Sequence, residues 1–183
     1  MQETKYHFKG RYLGLAERQG WEFATRTNAS GVAVLVAVTG GREVILVEQF
    51  RFPVDARVIE LPAGLVGDGH DPGEDIGKAA ARELEEETGF AAERWTRLLD
   101  CPSTSGMSDE IITFFLAEDL RRVGPGGGDA SEDIVVHLVP LDEASEWLSR
   151  KNRDGVLLDP KIYSALHWLD RLDRGLDPIP GQG

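Results

Sequence analysis

The chain has 183 residues, 41% of them hydrophobic and 28% charged, enough for one domain with a substantial core of ordinary globular composition. Its formal net charge of −12 argues against the phosphate-backbone attraction of nucleic-acid binders, and its single cysteine, Cys101, excludes an intrachain disulfide framework. The start lacks an apolar core of signal-peptide length and no apolar run reaches about 18 residues, so neither export nor membrane spanning is expected and the cytoplasm is the default location.

Residues 6–14 and 21–27 are strand-like and broken by Gln19-Gly20, which predicts an N-terminal β-hairpin. The β-branched runs 32–38 and 44–50 flank Thr39-Gly40-Gly41 and predict a second hairpin, its glycines supplying the positive φ of a two-residue turn. A short strand over 57–60 leads into Pro62-Ala63-Gly64, and residues 74–88 read as a helix. Residues 95–99 and 111–116 form a strand pair, 124–128 a flexible glycine-rich stretch, and 134–139 the last strand. Helices follow over 141–151, with Asp142 as N-cap, and over 160–172. Strands sandwiched between helices imply an α/β protein of α/β/α type. Residues 1–30 are assigned to the hairpin region, 31–175 to the main domain and 176–183, rich in Pro and Gly, to a flexible tail.

Four glutamates, Glu83, Glu85, Glu86 and Glu87, crowd the end of the 74–88 helix, where the helix dipole least tolerates negative charge. At ~100° per residue, Glu83 and Glu87 share a sector with Ile76, Ala80 and Leu84, Glu86 falls on its border and Glu85 points away. Inward carboxylates that close together require a counter-charge, and a hard dication with oxygen ligands, Mg²⁺ or Mn²⁺, is the economical one. On the residues alone, a fully solvated acidic helix is an equal alternative.

Glu74, seven residues, then Arg82-Glu83-Leu84-Glu85-Glu86-Glu87-Thr88-Gly89-Phe90 resembles the second half of the Nudix box, G-x5-E-x7-R-E-u-x-E-E-x-G-u with u apolar. Each position has a physical task. Glu74 would open the helix where the dipole favours an acid, Leu84 would anchor it, Gly89 would stop it, and Arg82 would orient the glutamates through charge-assisted hydrogen bonds. Glu60-Leu61-Pro62-Ala63-Gly64 resembles the opening of the box, but Gly64 lies ten positions before Glu74 instead of six. Gly67-Asp68-Gly69-His70 therefore reads as an insertion that bulges outward.

Val47-Glu48-Gln49-Phe50-Arg51 and the 102–110 stretch are similar to the branch of that family that cleaves ADP-ribose and related nucleoside diphosphate sugars. The resemblance implies a Nudix-type α/β/α sandwich with a mixed sheet. It also implies Mg²⁺ or Mn²⁺ held by Glu83, Glu86, Glu87 and the Ala63 carbonyl. Arg51 would bind the diphosphate or its ribose, and Glu110 would accept from sugar hydroxyls. Met107 would also meet the substrate, and Trp21 would stack on a nucleobase at a dimer interface or else anchor the core. The base would be Glu132, with Asp129 and Asp133 in reserve, Glu86 as an alternative, and Ala130 where the branch often has an acid. The implied reaction converts ADP-ribose to AMP and ribose 5-phosphate in a homodimer joined through the N-terminal hairpin. GDP-mannose or another nucleotide sugar, or a non-catalytic nucleotide sensor, are the alternatives. His7, His70, His137 and His167 lack metal-ligand spacing and are assigned structural or surface roles.

Overall fold

The computed structural model describes residues 3–67, 73–128 and 132–179. It opens with three strands where the sequence suggests two: β1 (Lys5–Lys9), β2 (Leu13–Arg18) and β3 (Trp21–Arg26), an antiparallel meander in that order. The piece read as one strand over 6–14 divides because the chain turns back at Gly10, whose amide donates to the Leu13 carbonyl at 2.8 Å. Gln19 (φ 57°) and Gly20 (φ 80°) supply the positive φ of the next turn. Within the meander Ala16 is buried, while Tyr6, Phe8, Leu13, Leu15 and Trp21 are exposed.

The remaining strands are β4 (Gly31–Ala37), β5 (Glu43–Arg51), β6 (Ala56–Glu60), β7 (Ala63–Val66), β8 (Phe90–Pro102), β9 (Ile111–Arg122), β10 (Val135–Pro140) and β11 (Leu157–Leu158). Among the described residues the α-helices are α1 (Ile76–Glu83), α2 (Ala144–Arg153) and α3 (Lys161–Asp173), and none is long and apolar enough to cross a membrane. The strands form two four-stranded sheets, β7-β4-β9-β8 and β10-β5-β6-β11. The β4–β9 and β6–β11 pairs are parallel and the others antiparallel, so the architecture is mixed as expected.

The second predicted hairpin does not form. β4 and β5 lie in different sheets, and their pairing is confined to an antiparallel bridge between Val38 and Val44. The positive φ at that bend belongs to Arg42 (61°) and not to Gly40 or Gly41. Ala33 to Ala37 are 0% exposed, and a strand buried on both faces needs a neighbour at each edge and cover on each side. Val34 and Val36 face one layer with Leu46, Leu148, Ile162 and Trp168, where Trp168 meets Phe114 edge to face at 5.0 Å. Ala33, Leu35 and Ala37 face the other layer with Ile45, Ala80 and Leu84. Thus α1 covers one side while α2 and α3 cover the other, the α/β/α arrangement read from the sequence. Glu143, not Asp142, occupies the N-cap of α2, without a side-chain capping bond.

Candidate active site

The acidic helix begins two residues later than expected, at Ile76. Asp75 is its cap, its Oδ1 accepting from the Gly77 and Lys78 amides at 3.0 and 3.2 Å. Glu74 therefore lies outside α1, and its carboxylate instead takes Arg82 Nε at 3.0 Å, Arg82 Nη2 at 3.1 Å and the Gly67 amide at 3.2 Å. After Glu83 the helix widens into a π-helical turn, Leu84–Thr88, which Gly89 ends at φ 74°. A Cβ at Gly89 would come within 2.3 Å of the Gly124 carbonyl oxygen, so close approach as well as φ demands glycine there. The wider turn advances each residue by roughly 80° instead of 100°, which carries Glu86 out of the inward sector. Leu84, Glu87 and Thr88 are buried, whereas Glu85 and Glu86 are exposed.

Arg82 organises this helix as the sequence implies. Its Nη1 donates to Glu83 at 2.8 Å and to Glu86 at 3.0 Å, and its Nη2 also reaches the Leu65 carbonyl of β7 at 3.2 Å. The bonded Glu74 carboxylate is the largest cause holding the guanidinium well above its ordinary pKa, so this cation is permanent. Glu83 lies directly on Gly64, where a Cβ would stand 1.8 Å from its carboxyl carbon. Gly64 is thus required for space.

Glu87 is the unusual carboxylate. It is 3% exposed, and its Oε2 accepts from the Ala63 amide at 3.0 Å. Burial pushes its pKa up to about 8; Glu83 and Glu132 add to the rise, while the Ala63 amide and Arg51 oppose it. It faces a cleft of about 340 Å³ that also takes in Glu83, Glu132, Ala63, Arg51 and Glu110. That size suits a small-molecule ligand. Six sequence-predicted residues therefore converge there.

The others do not. Glu86 turns its side chain to Arg82 and away from the cleft. Trp21 is 72% exposed and borders a separate hollow with Arg18 and Ser105. Met107 is 69% exposed, and its carbonyl accepts the Ala24 amide at 2.8 Å, docking its loop on β3. Asp133 points outward to Arg57 Nη1 at 2.8 Å. Asp129, Ala130 and the Asp68-Gly69-His70 part of the insertion lie outside the described residues.

Arg26, Gln49, Glu60 and Lys161 also line the cleft, although the sequence did not single them out. Gln49 could have been found, since it is two residues before Arg51 on one strand and so shares its face. Glu60 accepts from Arg51 Nε at 2.6 Å, and Glu110 accepts from Arg26 Nε at 2.6 Å. The cleft thus holds its two ligand-binding candidates in ion pairs that a ligand would have to share.

The glycine-rich stretch is not a loose linker. The Gly127 amide donates to the Glu87 carbonyl at 2.8 Å and the Gly128 amide to the Glu86 carbonyl at 3.0 Å, satisfying the end of the acidic turn. A Cβ at Gly126 would meet the Thr88 carbonyl carbon at 2.4 Å, and one at Gly128 would meet a Glu132 carboxyl oxygen at 2.2 Å. Glycine serves here as a docking surface.

Among the described residues, no three His, Cys, Asp or Glu side chains already stand at metal-ligand separation. The donors facing the cleft are nonetheless hard oxygens, and Glu87 is a buried carboxylate that a dication would relieve of its ionisation cost. These residues fit Mg²⁺ or Mn²⁺.

The NUDIX domain family model matches residues 28–159. The chain belongs to the Nudix family. It is 40% identical over 140 residues to the ADP-ribose pyrophosphatase of Bacillus subtilis (strain 168), covering 76% of this chain and 71% of that one. It is 32% identical, with the same coverage, to the methanol dehydrogenase activator of Bacillus methanolicus. It is also 33% identical over 148 residues to the GDP-mannose pyrophosphatase of Enterobacter sp. (strain 638), covering 76% and 73%. A crystal structure of an ADP compounds hydrolase superposes with a TM-score of 0.67 over 94% of this chain and 92% of that one, at 21% identity, which bears on the fold. Divalent metal dependence is general among Nudix hydrolases.

Proposed function

We propose that this Nudix protein hydrolyses the diphosphate linkage of ADP-ribose or a close nucleoside diphosphate sugar, giving AMP and ribose 5-phosphate in the first case. The observation that carries this reading is the buried Glu87, grouped with Glu83 and Glu132 in a cleft that also presents Arg51 and Lys161. A lining that carries both carboxylates and cations suits a metal-bound diphosphate better than any neutral ligand.

Mg²⁺ or Mn²⁺, held by Glu83, Glu87, the Ala63 carbonyl and Glu86 once it leaves Arg82, would offset charge on the diphosphate and acidify the attacking water. Glu132 takes the proton of that water as its oxygen attacks one phosphorus and the bridging P–O bond breaks toward the other phosphate. Arg51 clamps the diphosphate by sharing itself between substrate and Glu60. Glu110, already oriented by Arg26, receives the sugar hydroxyls. Arg82 touches no substrate and holds Glu83 in place.

Incubation of ADP-ribose with the protein and Mg²⁺, followed by product chromatography, should release AMP, and Glu87→Gln should reduce the rate at least about a hundredfold. Wild-type rates in that variant would remove the metal site from the reading. GDP-mannose is the second substrate to test, because relatives with that specificity cover as much of the chain as those named for ADP-ribose. Calorimetry showing binding without turnover would instead mark a sensor. The exposed apolar side chains of β1–β3 support a homodimer formed through this sheet, which light scattering checks. An exposed Trp21 on β3 would then have a partner surface to meet.

A further inference from the structure

We propose that Arg57, which lies outside the cleft, is a positioning residue that holds Glu132 over Glu87 by fastening Asp133 to the central sheets. The proposal deepens the functional reading above and rests on its assignment of Glu132 as the base. Arg57 stands on β6 and spreads its guanidinium between two groups. Its Nε donates to Glu48 Oε1 at 2.9 Å and its Nη2 to the Glu48 carbonyl at 3.2 Å. The Nη1 donates to Asp133 Oδ2 at 2.8 Å, and Nη2 reaches the Asp133 carbonyl at 3.4 Å.

The inner end of this bridge cannot drift. Glu48 is 8% exposed and is also held by Lys151 Nζ from α2 at 2.8 Å and by His137 Nε2 from β10 at 3.0 Å. A planar fork fixed on one edge presents its other edge in one direction, and that edge meets the residue directly after Glu132. On the other flank, the Gly127 and Gly128 amides fasten the chain to the carbonyls of Glu87 and Glu86. Glu132 is therefore suspended between a tie to the acidic turn and a tie to Arg57.

Stability alone gives little reason for the outer tie. The Asp133 side chain is 80% exposed, and ion pairs at such sites contribute little to folding. Its value lies in geometry, because misplacing a reacting group by about 1 Å can cost up to about a hundredfold in rate.

The test is a double-mutant cycle on the full chain with ADP-ribose and Mg²⁺. Asp133→Ala leaves the Arg57–Glu48 contact in place, so melting temperature should be unchanged while kcat falls about tenfold and KM stays within about twofold. Asp133→Asn, which keeps an acceptor, should recover most of the loss. Arg57→Lys keeps a cation beside Glu48 but lacks the fork, and should lower kcat to a similar degree. In a Glu132→Gln background neither change should lower kcat further, because the group they position is already gone. Amide exchange over residues 132–134 should quicken in both variants, a readout independent of turnover. Wild-type kcat in Asp133→Ala, losses that multiply fully with Glu132→Gln, or unchanged exchange would each overturn the role of Arg57. Wild-type kcat in Glu132→Gln alone would overturn the base assignment, and this proposal with it.

Discussion

Glu48 and Glu87 are the same residue type and both are largely shielded from solvent, 8% and 3% exposed, yet the protein treats them in opposite ways. Burial would raise the pKa of Glu48, but bonds from Lys151, His137 and Arg57 bring it down to about 2. Burial raises that of Glu87 to about 8, with Glu83 and Glu132 adding to the rise and the Ala63 amide and Arg51 opposing it. Three donors from three elements make Glu48 a structural knot. Glu87 is kept at a cost to the fold, a perturbation of the kind that clusters at functional sites.

The sharpest way to break this contrast is to neutralise each acid in turn. Glu87→Gln should lower turnover by about 10² to 10³ while leaving the fold as stable or more so, since it removes a carboxyl whose ionisation the fold opposes. Melting curves with and without Mg²⁺ should show stabilisation of the wild type by mass action and little in the variant. Gly64→Ala should approach the same loss of activity by a different route, because a methyl group there would displace Glu83. Glu48→Gln should do the reverse, costing about 3 kcal/mol in urea unfolding by stranding its half-buried cationic partners, with a smaller effect on turnover.

The sequence disclosed the features governed by local rules. Leu84 and Gly89 announce how the acidic helix is anchored and stopped, and Arg82 does bind its neighbouring glutamates. The outward turn of Glu86 was hidden because a 100° wheel cannot represent a π-helical turn. The runs flanking Gly40-Gly41 read alike whether two β-branched strands pair or enter separate sheets, so composition could not reveal that β4 and β5 part. Gly124 to Gly128 looked flexible because glycine marks both loose chain and close backbone contact. Arg26 meets Glu110 across 84 residues and Lys151 meets Glu48 across 103, separations that no local pattern encodes.

Acid titration sharpens the comparison from the structural side. The folded pKa of Glu48 lies below its ordinary 4.5, so its contribution is complete above about pH 4.5 and is lost as pH falls toward about 2. A depression of that size corresponds to on the order of 3 kcal/mol. Desolvation also lowers the pKa of His137, so the unfolded chain takes up that proton first and the loss of stability starts near the ordinary histidine value of 6.5. Glu87, whose pKa is raised, takes up its proton in the folded chain first and opposes this loss down to about pH 4.5, so urea midpoints should fall clearly only below that value, where Glu48→Gln should flatten the curve. An unchanged slope in the variant would mean that other carboxylates dominate acid unfolding.

The smallest effect belongs to Glu85, two positions before Glu87 and altered by the same chemical change. Glu85 is exposed on the π-helical turn, where it meets like charges and the negative end of the helix dipole. Glu85→Gln should leave turnover within about twofold and raise stability by about 0.3–0.5 kcal/mol, readable as a higher urea midpoint. With a cation bound and Glu87 ionised, both substitutions remove one negative charge from one turn, so net charge cannot explain a difference between them. A large rate loss at Glu85 would mean that the whole acidic patch attracts the cation through its summed field, whereas loss confined to Glu87 ties function to the one carboxylate of this turn that the fold buries.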